Sequence, residues 1–404
     1  MLLIGGAYYL CGEMNRQRSR TSAEITQSNQ KYELLQKESE LRRPKAEEES
    51  RKQMDQFSVV LDKNRADFQK NLDKVSAAAR KLLETLVEKE NIQLSDNIPL
   101  KVHFGEKFNR TYIKSENYAG IRDFLEEKKI TTCYIETSVL YGGERFERAK
   151  HLKLAAEHGF TQLPVVIADG ERGEASREIP VNKSHFKSCH IAGELAESDQ
   201  VIVLSHFKGH SLAGFGGALK QLSMGFASKG GKLAMHMGVK PRIRTLLYKR
   251  CKACMKRCQV DAITIDGRPH IDHAKCLGCG ACFYICPHHA ISILSLKGIW
   301  EGLFKGKFFR EKLAEYAYAS SHGKKHIYIN FALNITGGCD CEPRPMRCVS
   351  PNIGIFASTD PVAIDAACYD AVKKTGKAFK GYDILEYAQR IGGGSMQYQL
   401  HTEE

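Results

Sequence analysis

The cysteines between residues 248 and 291 constrain this chain more than anything else in it. Seven of its 14 cysteines fall there. Four of them, Cys276, Cys279, Cys282 and Cys286, with Pro287 directly behind, form the run C-x2-C-x2-C-x3-C-P. Steps of three residues let successive thiolates converge on three corners of one cube, the spacing that suits a 4Fe–4S cluster. A structural zinc site uses two separated pairs of ligands instead.

A second, imperfect copy precedes the run. Aligning Ala262-Ile263 with Ala290-Ile291 makes Cys258 the counterpart of Cys286. Cys254 and Cys251 then match Cys282 and Cys279, Tyr248 stands where Cys276 stands, and Gln259 replaces the proline. The pair reads as an internal duplication and resembles a bacterial two-cluster ferredoxin with one ligand lost. In that family the fourth cysteine of each run binds the other cluster. The resemblance therefore implies a complete set of Cys258, Cys276, Cys279 and Cys282. It implies a second set of only three: Cys251, Cys254 and Cys286. Three readings of the second set stay open. It holds a 3Fe–4S cluster, or a 4Fe–4S cluster with a non-cysteine or distant ligand or an open iron, or it is empty.

Thiolates that must receive iron call for a reducing compartment, so the expected location is the cytoplasm and disulfides are not expected. Length allows two or three domains, and 42% apolar with 26% charged residues is ordinary for a globular chain. The formal charge is +13. Residues 1–90 are nearly balanced, so the excess lies beyond them. Such a surface suits an acidic redox partner or an anionic substrate. No nucleic-acid-binding signature accompanies it.

In chain order, residues 1–10 are apolar but too short to span a bilayer, and membrane association is expected only through residues 1–20. Residues 1–96 read as an N-terminal helical extension. Leu61, Phe68, Leu72, Val75, Ala79, Leu82 and Leu86 follow three- and four-residue steps. That seam fits a dimerising coiled coil, a partner-binding helix, or a plain helix, either long and solvated or packed on its own domain. Beyond it, short β-rich runs alternate with helical patterns. Strands are expected at 102–104, 133–137, 164–168, 201–205, 233–236, 326–330 and 353–357. Helices are expected at 116–128, 144–158, 189–197, 213–227, 308–320, 361–373 and 383–391. This alternation predicts an α/β fold: a mostly parallel sheet with helices on both faces. The domain runs over 97–244 and resumes over 298–404, with a small ferredoxin-like α+β insertion at 245–297.

Two further features bear on chemistry. Lys208, His210 and Lys220 bracket a glycine-rich turn, Gly214, Gly216 and Gly217, between a strand and a helix start. Small residues and a helix N-terminus favour an anion, so these three form a candidate anion or substrate pocket. Tight helix–sheet packing explains the glycines equally well. Cys339 and Cys341 flank Asp340, and alternate residues of an extended segment point apart. Both thiols reach one metal only if Gly337-Gly338 bends the chain. They are candidate additional ligands, or partly buried free thiols. Asp360-Pro361 reads as a helix N-cap with proline in the first turn.

The segments 207–225, 339–343 and 357–367, together with the cysteine-rich insertion, resemble an uncharacterised iron–sulfur family, domain of unknown function 362. The resemblance covers residues 98–395 and implies an α/β domain with a redox role on an undefined substrate. Two functions follow. One is an oxidoreductase that passes electrons through the insertion to a substrate on the α/β domain. The other is an electron carrier or redox-sensing subunit that forms a homo-oligomer or docks a partner through the N-terminal helix.

Overall fold

A computed structural model describes residues 73–237, 241–258, 261–273, 275–276, 281–292 and 305–401. The expectations for residues 1–72 and the placement of Cys279 lie outside the described residues.

The chain enters through helix α1, residues 73–89, which buries Ala79 and Leu83 against the domain. Of the three readings of the heptad seam, this portion follows the last, a helix packed on its own domain. Strand β1 (Leu100–Lys101), helix α2 (Ala119–Glu127), β2 (Tyr134–Glu136), α3 (Arg148–Glu157) and β3 (Val165–Ile167) follow. A hairpin of β4 (Ser176–Pro180) and β5 (Ser188–Ala192) leads into the short α4 (Gly193–Glu197) and β6 (Ile202–His206). A second hairpin, β7 (Lys208–His210) and β8 (Gly214–Gly216), precedes α5 (Ala218–Met224) and α6 (Lys229–Met237). The cysteine-rich segment carries β9 (Arg242–Ile243), α7 (Ala253–Arg257), β10 (Ile263–Asp266), β11 (Arg268–Ile271), α8 (Ala281–Ile285) and β12 (Ile291–Ser292). The chain closes with α9 (Lys305–Ser321), β13 (Ile327–Ala332), β14 (Gly354–Ser358), α10 (Pro361–Lys374) and α11 (Asp383–Arg390).

The central sheet runs β14-β13-β6-β1-β2-β3. Every pair in it is parallel except β13–β14 at one edge. This is the expected mostly parallel α/β sheet. Strands β6 and β13 are buried along their whole length, as parallel strands covered on both faces must be. Their side chains alternate between two cores. Ile202, Leu204, Ile327 and Ile329 face one that includes Ala79, Leu83, Ile121 and Leu125 from α1 and α2. Val203 and Tyr328 face the other, which takes residues from α5, α9, α10 and α11.

Several expected elements differ. The strand expected at 102–104 pairs instead over Leu100–Lys101, and the helix expected at 213–227 begins with strand β8 and is helical only over Ala218–Met224. Residues 233–236 are not a strand but the last turns of α6, because a four-residue apolar run does not by its period distinguish strand from buried helix. Residues 189–192 are strand β5 rather than helix, paired with β4, and only 193–197 are helical. Asp360 caps α10 as expected, accepting from Val362 N–H at 2.7 Å and Ala363 N–H at 2.9 Å. Among the described residues no helix is long and apolar enough to cross a membrane.

Candidate functional site

Ligand sites of open α/β sheets lie beyond the carboxyl ends of the strands. Here those ends gather an unusual density of buried charge. His206 ends β6, and its Nδ1 lies 2.9 Å from Asp340 Oδ2 while its Nε2 lies 2.7 Å from the Leu333 carbonyl. Both ring nitrogens of His206 are thus engaged. Lys208 Nζ bonds the same Asp340 carboxylate. Burial alone would raise the Asp340 carboxyl, but His206 and Lys208 together hold it well below the ordinary carboxylate range.

The loop that carries Asp340 is held by the β7–β8 hairpin. Gly209 N–H donates to the Thr336 carbonyl at 2.8 Å. A methyl group at Gly209 would stand 2.7 Å from the Gly337 carbonyl oxygen, so only glycine admits this approach. Glu342 N–H then closes a turn onto the Cys339 carbonyl at 2.9 Å. The bend lies at 339–342, after the two glycines that were expected to supply it. It brings the sulfurs of Cys339 and Cys341 together, and they are bonded as a disulfide. The expectation that no cysteine pairs is corrected here: residues two apart can pair because the turn folds both side chains to one side. Cys339 is buried and Cys341 half-buried. Lys220 Nζ, from α5, lies 3.4 Å from Cys339 Sγ. Burial, helped by the charge on Lys208, lowers the Lys220 ammonium to about 7.

A second group lies beside the first. Arg145 is buried and its Nε lies 3.1 Å from Glu106 Oε2. Its Nη2 donates to the Tyr141 hydroxyl at 2.7 Å, and that hydroxyl lies 3.2 Å from the Cys341 carbonyl. Burial and the Arg145 guanidinium push His103 well below its ordinary value. Deeper in, Lys101 pairs with Glu136 at 2.7 Å, both almost without solvent contact. Lys232 donates to Thr137 Oγ1 at 2.6 Å, and burial lowers it to about 8. Sequence reading missed His103, Glu106, Glu136, Arg145 and Lys232. A lone charged residue in a weak pattern reads as surface until the fold shows it buried.

The three candidate anion-pocket residues are brought near one another but do different things. Lys208 is committed to Asp340, and Lys220 faces Cys339. His210 Nδ1 accepts from Leu212 N–H and Ala213 N–H, which makes it a staple of the hairpin turn. The N-terminal N–H groups of α5 were expected to face an anion. They face Asp365 instead, with Ala218 N–H at 2.7 Å and Leu219 N–H at 2.9 Å. Asp365 is therefore an internal cap, not a pocket residue.

The cysteine-rich segment forms its own small core. Cys254, Cys282 and Cys286 are buried there with Ile263, Ile271, Ala290 and Ile291, and Cys258 and Cys276 pack against it. The duplication read from sequence recurs in the backbone. Helix α7 starts at Ala253 and α8 at the matching Ala281, and the two pack on each other. Ala262 N–H donates to Cys258 Sγ at 3.3 Å, and Ala290 N–H donates to Cys286 Sγ at the same 3.3 Å. Tyr248, in the place of the missing cysteine, has a buried hydroxyl without a hydrogen-bond partner among the described residues. Among the described residues no three His, Cys, Asp or Glu side chains stand close enough to hold a metal ion, and Cys279 is not among them.

A parallel α/β domain with charged residues at its strand ends and a cysteine-rich insertion is the class this chain defines. It belongs to the family described as domain of unknown function DUF362, which matches residues 98–370. Among solved structures it is similar to a protein from Thermotoga maritima, with a TM-score of 0.39 and 11% identity over 76% of this chain and 59% of that one. It is also similar to the lactate racemase apoprotein of Thermoanaerobacterium thermosaccharolyticum, with a TM-score of 0.32 and 13% identity over 63% of this chain and 48% of that one. The chain thus spans roughly half to three-fifths of the length of these structures. No curated protein matches it.

Proposed function

We propose that this chain is an iron–sulfur oxidoreductase whose cysteine-rich segment takes up electrons for a substrate held at the strand ends of the α/β domain. The observation that carries the reading is the repeated geometry of the segment: two short helices at matched positions, cysteines from both halves in one core, and the same N–H···S bond in each half. Backbone donors on sulfur tune the potential of cluster-binding cysteines. Cys258, Cys276, Cys279 and Cys282 would hold one cluster, and Cys251, Cys254 and Cys286 would hold a second. When bound, such clusters supply one-electron transfer.

The chain's own residues do the rest. Lys249, Arg250, Lys252 and Lys256 are exposed around the exposed Cys251, a face suited to an acidic electron donor. Arg257, next to Cys258, lies 5.7 Å from the Phe146 ring, which adjoins the buried Arg145. This contact seats the segment on the loop that walls the candidate site. Lys220, which faces Cys339 rather than a carboxylate, is the residue of that site that would meet an anionic substrate group. A reducing cytoplasm is the compartment this chemistry needs.

Tyr248→Cys tests the second cluster. The variant restores a four-cysteine set, so its dithionite-reduced electron paramagnetic resonance spectrum should change to that of two interacting 4Fe–4S clusters, with any oxidised 3Fe–4S signal lost. An unchanged spectrum with about four irons per chain in both proteins would mean that no cluster sits at Cys251, Cys254 and Cys286.

A further inference from the structure

We propose that Cys339 and Cys341 form a dithiol–disulfide redox centre that exchanges with disulfide-bearing ligands. The two sulfurs are bonded at the carboxyl end of the sheet, where enzymes of this architecture place their ligands. They differ in access. Cys341 lines an open cleft of about 360 Å³, between the rings of Phe108 and Tyr141 and the charged Glu106, Lys107, Glu144 and Glu342. Cys339 is buried behind it, with Lys220 Nζ beside its sulfur. The accessible cysteine can meet an outside disulfide, and the lysine beside the buried one favours the thiolate that must attack in the second step.

Phe108 stands at the cleft, 67% exposed, with φ at +69° and Lys107 Nζ 5.7 Å from its ring. A bulky residue rarely holds that backbone conformation, and here it leaves an aromatic ring open to an incoming ligand.

In the reduced pair, the Cys341 thiolate attacks one sulfur of the ligand disulfide. A bond forms between Cys341 Sγ and that sulfur, and the second ligand sulfur leaves as a thiolate that takes a proton. The Cys339 thiolate, stabilised by Lys220, then attacks Cys341 Sγ and releases the first ligand sulfur as a second thiol. The ligand gains two electrons, and the cysteine pair loses two and is again a disulfide. Its return to the dithiol takes two electrons and two protons. That half of the cycle rests on the iron–sulfur reading, with the segment as the source of electrons, while the exchange half is independent of it.

The test uses the full chain purified in air and dipyridyl disulfide as a neutral aromatic probe. Before reduction, the peptide with Cys339 and Cys341 should resist alkylation, and after dithiothreitol it should take two alkyl groups. In Cys339→Ser, the probe should leave a stable mixed disulfide on Cys341, read by mass. Cys341→Ser should react at Cys339 at least about tenfold more slowly. In the reduced wild-type chain Cys341 should be alkylated before Cys339, a readout independent of how either variant folds. Free alkylation before reduction, equal rates at the two sulfurs, or loss of a bound metal in the double serine variant would overturn the proposal. A chain without iron that still exchanges the probe would sink the cluster reading and leave this one standing.

Discussion

In Asp340→Asn the folded chain is expected to lose about 3–5 kcal/mol at neutral pH, because the buried Lys208 ammonium remains without its counter-charge and His206 loses its carboxylate partner. His206 and Lys208 converge on this one fully buried carboxylate. Removing Lys208 as well, in Asp340→Asn/Lys208→Met, should recover part of the loss, since fewer uncompensated charges stay buried. The pH dependence follows from the sign of the shift. The folded carboxyl lies below its unfolded value of about 3.9, so its stabilisation is complete above that pH and is lost as pH falls toward the folded value. The gap between wild type and variant should therefore be widest at neutral pH and shrink below about pH 4. Urea unfolding at a series of pH values reads this directly. A gap that stays constant down to pH 3 would show that Asp340 acts through packing rather than charge.

Cys282→Ser should lose about half or more of the iron and brown colour, and with it the fold of the small core. Cys282 is buried among residues of both halves of the duplication, including Cys254, Ile263 and Ile291. A segment this small has little apolar area to hold it, and ligation would contribute most of its stability. Limited proteolysis should then cut between residues 245 and 297 while the α/β domain survives, because the two cores of the main sheet draw on none of these residues. Wild-type iron content in the variant would remove Cys282 from the ligand set.

The sequence made the sheet legible where strands run apolar along their whole length. Ile202–His206 and Ile327–Ala332 are such runs, and both were expected within a residue or two. Helices α9, α10 and α11 were legible through their three- and four-residue spacing. The hairpins were not. Strand β4 is half exposed and polar, so it carries no period, and Cys189 to Ala192 ran into a helical pattern that claimed them. The duplication was legible because the cysteine spacing repeats around the shared Ala262-Ile263 and Ala290-Ile291 pairs. Much of the charged centre was hidden for the opposite reason. Lys101, Glu136 and Arg145 are distant in sequence and meet only because β1, β2 and the following loop are adjacent in the sheet. Lys208 and Lys220 were singled out, but as ligands for an outside anion. Their facing groups, Asp340 and Cys339, come from a loop more than a hundred residues later.

The central claim is that residues 245–297 hold iron and sulfide for electron transfer. Anaerobic iron and sulfide analysis of the purified chain, with electron paramagnetic resonance before and after dithionite, tests it most directly. The expected result is about four to eight irons per chain with matching sulfide and reduced 4Fe–4S signals. Zinc in place of iron, or iron without acid-labile sulfide, would contradict it.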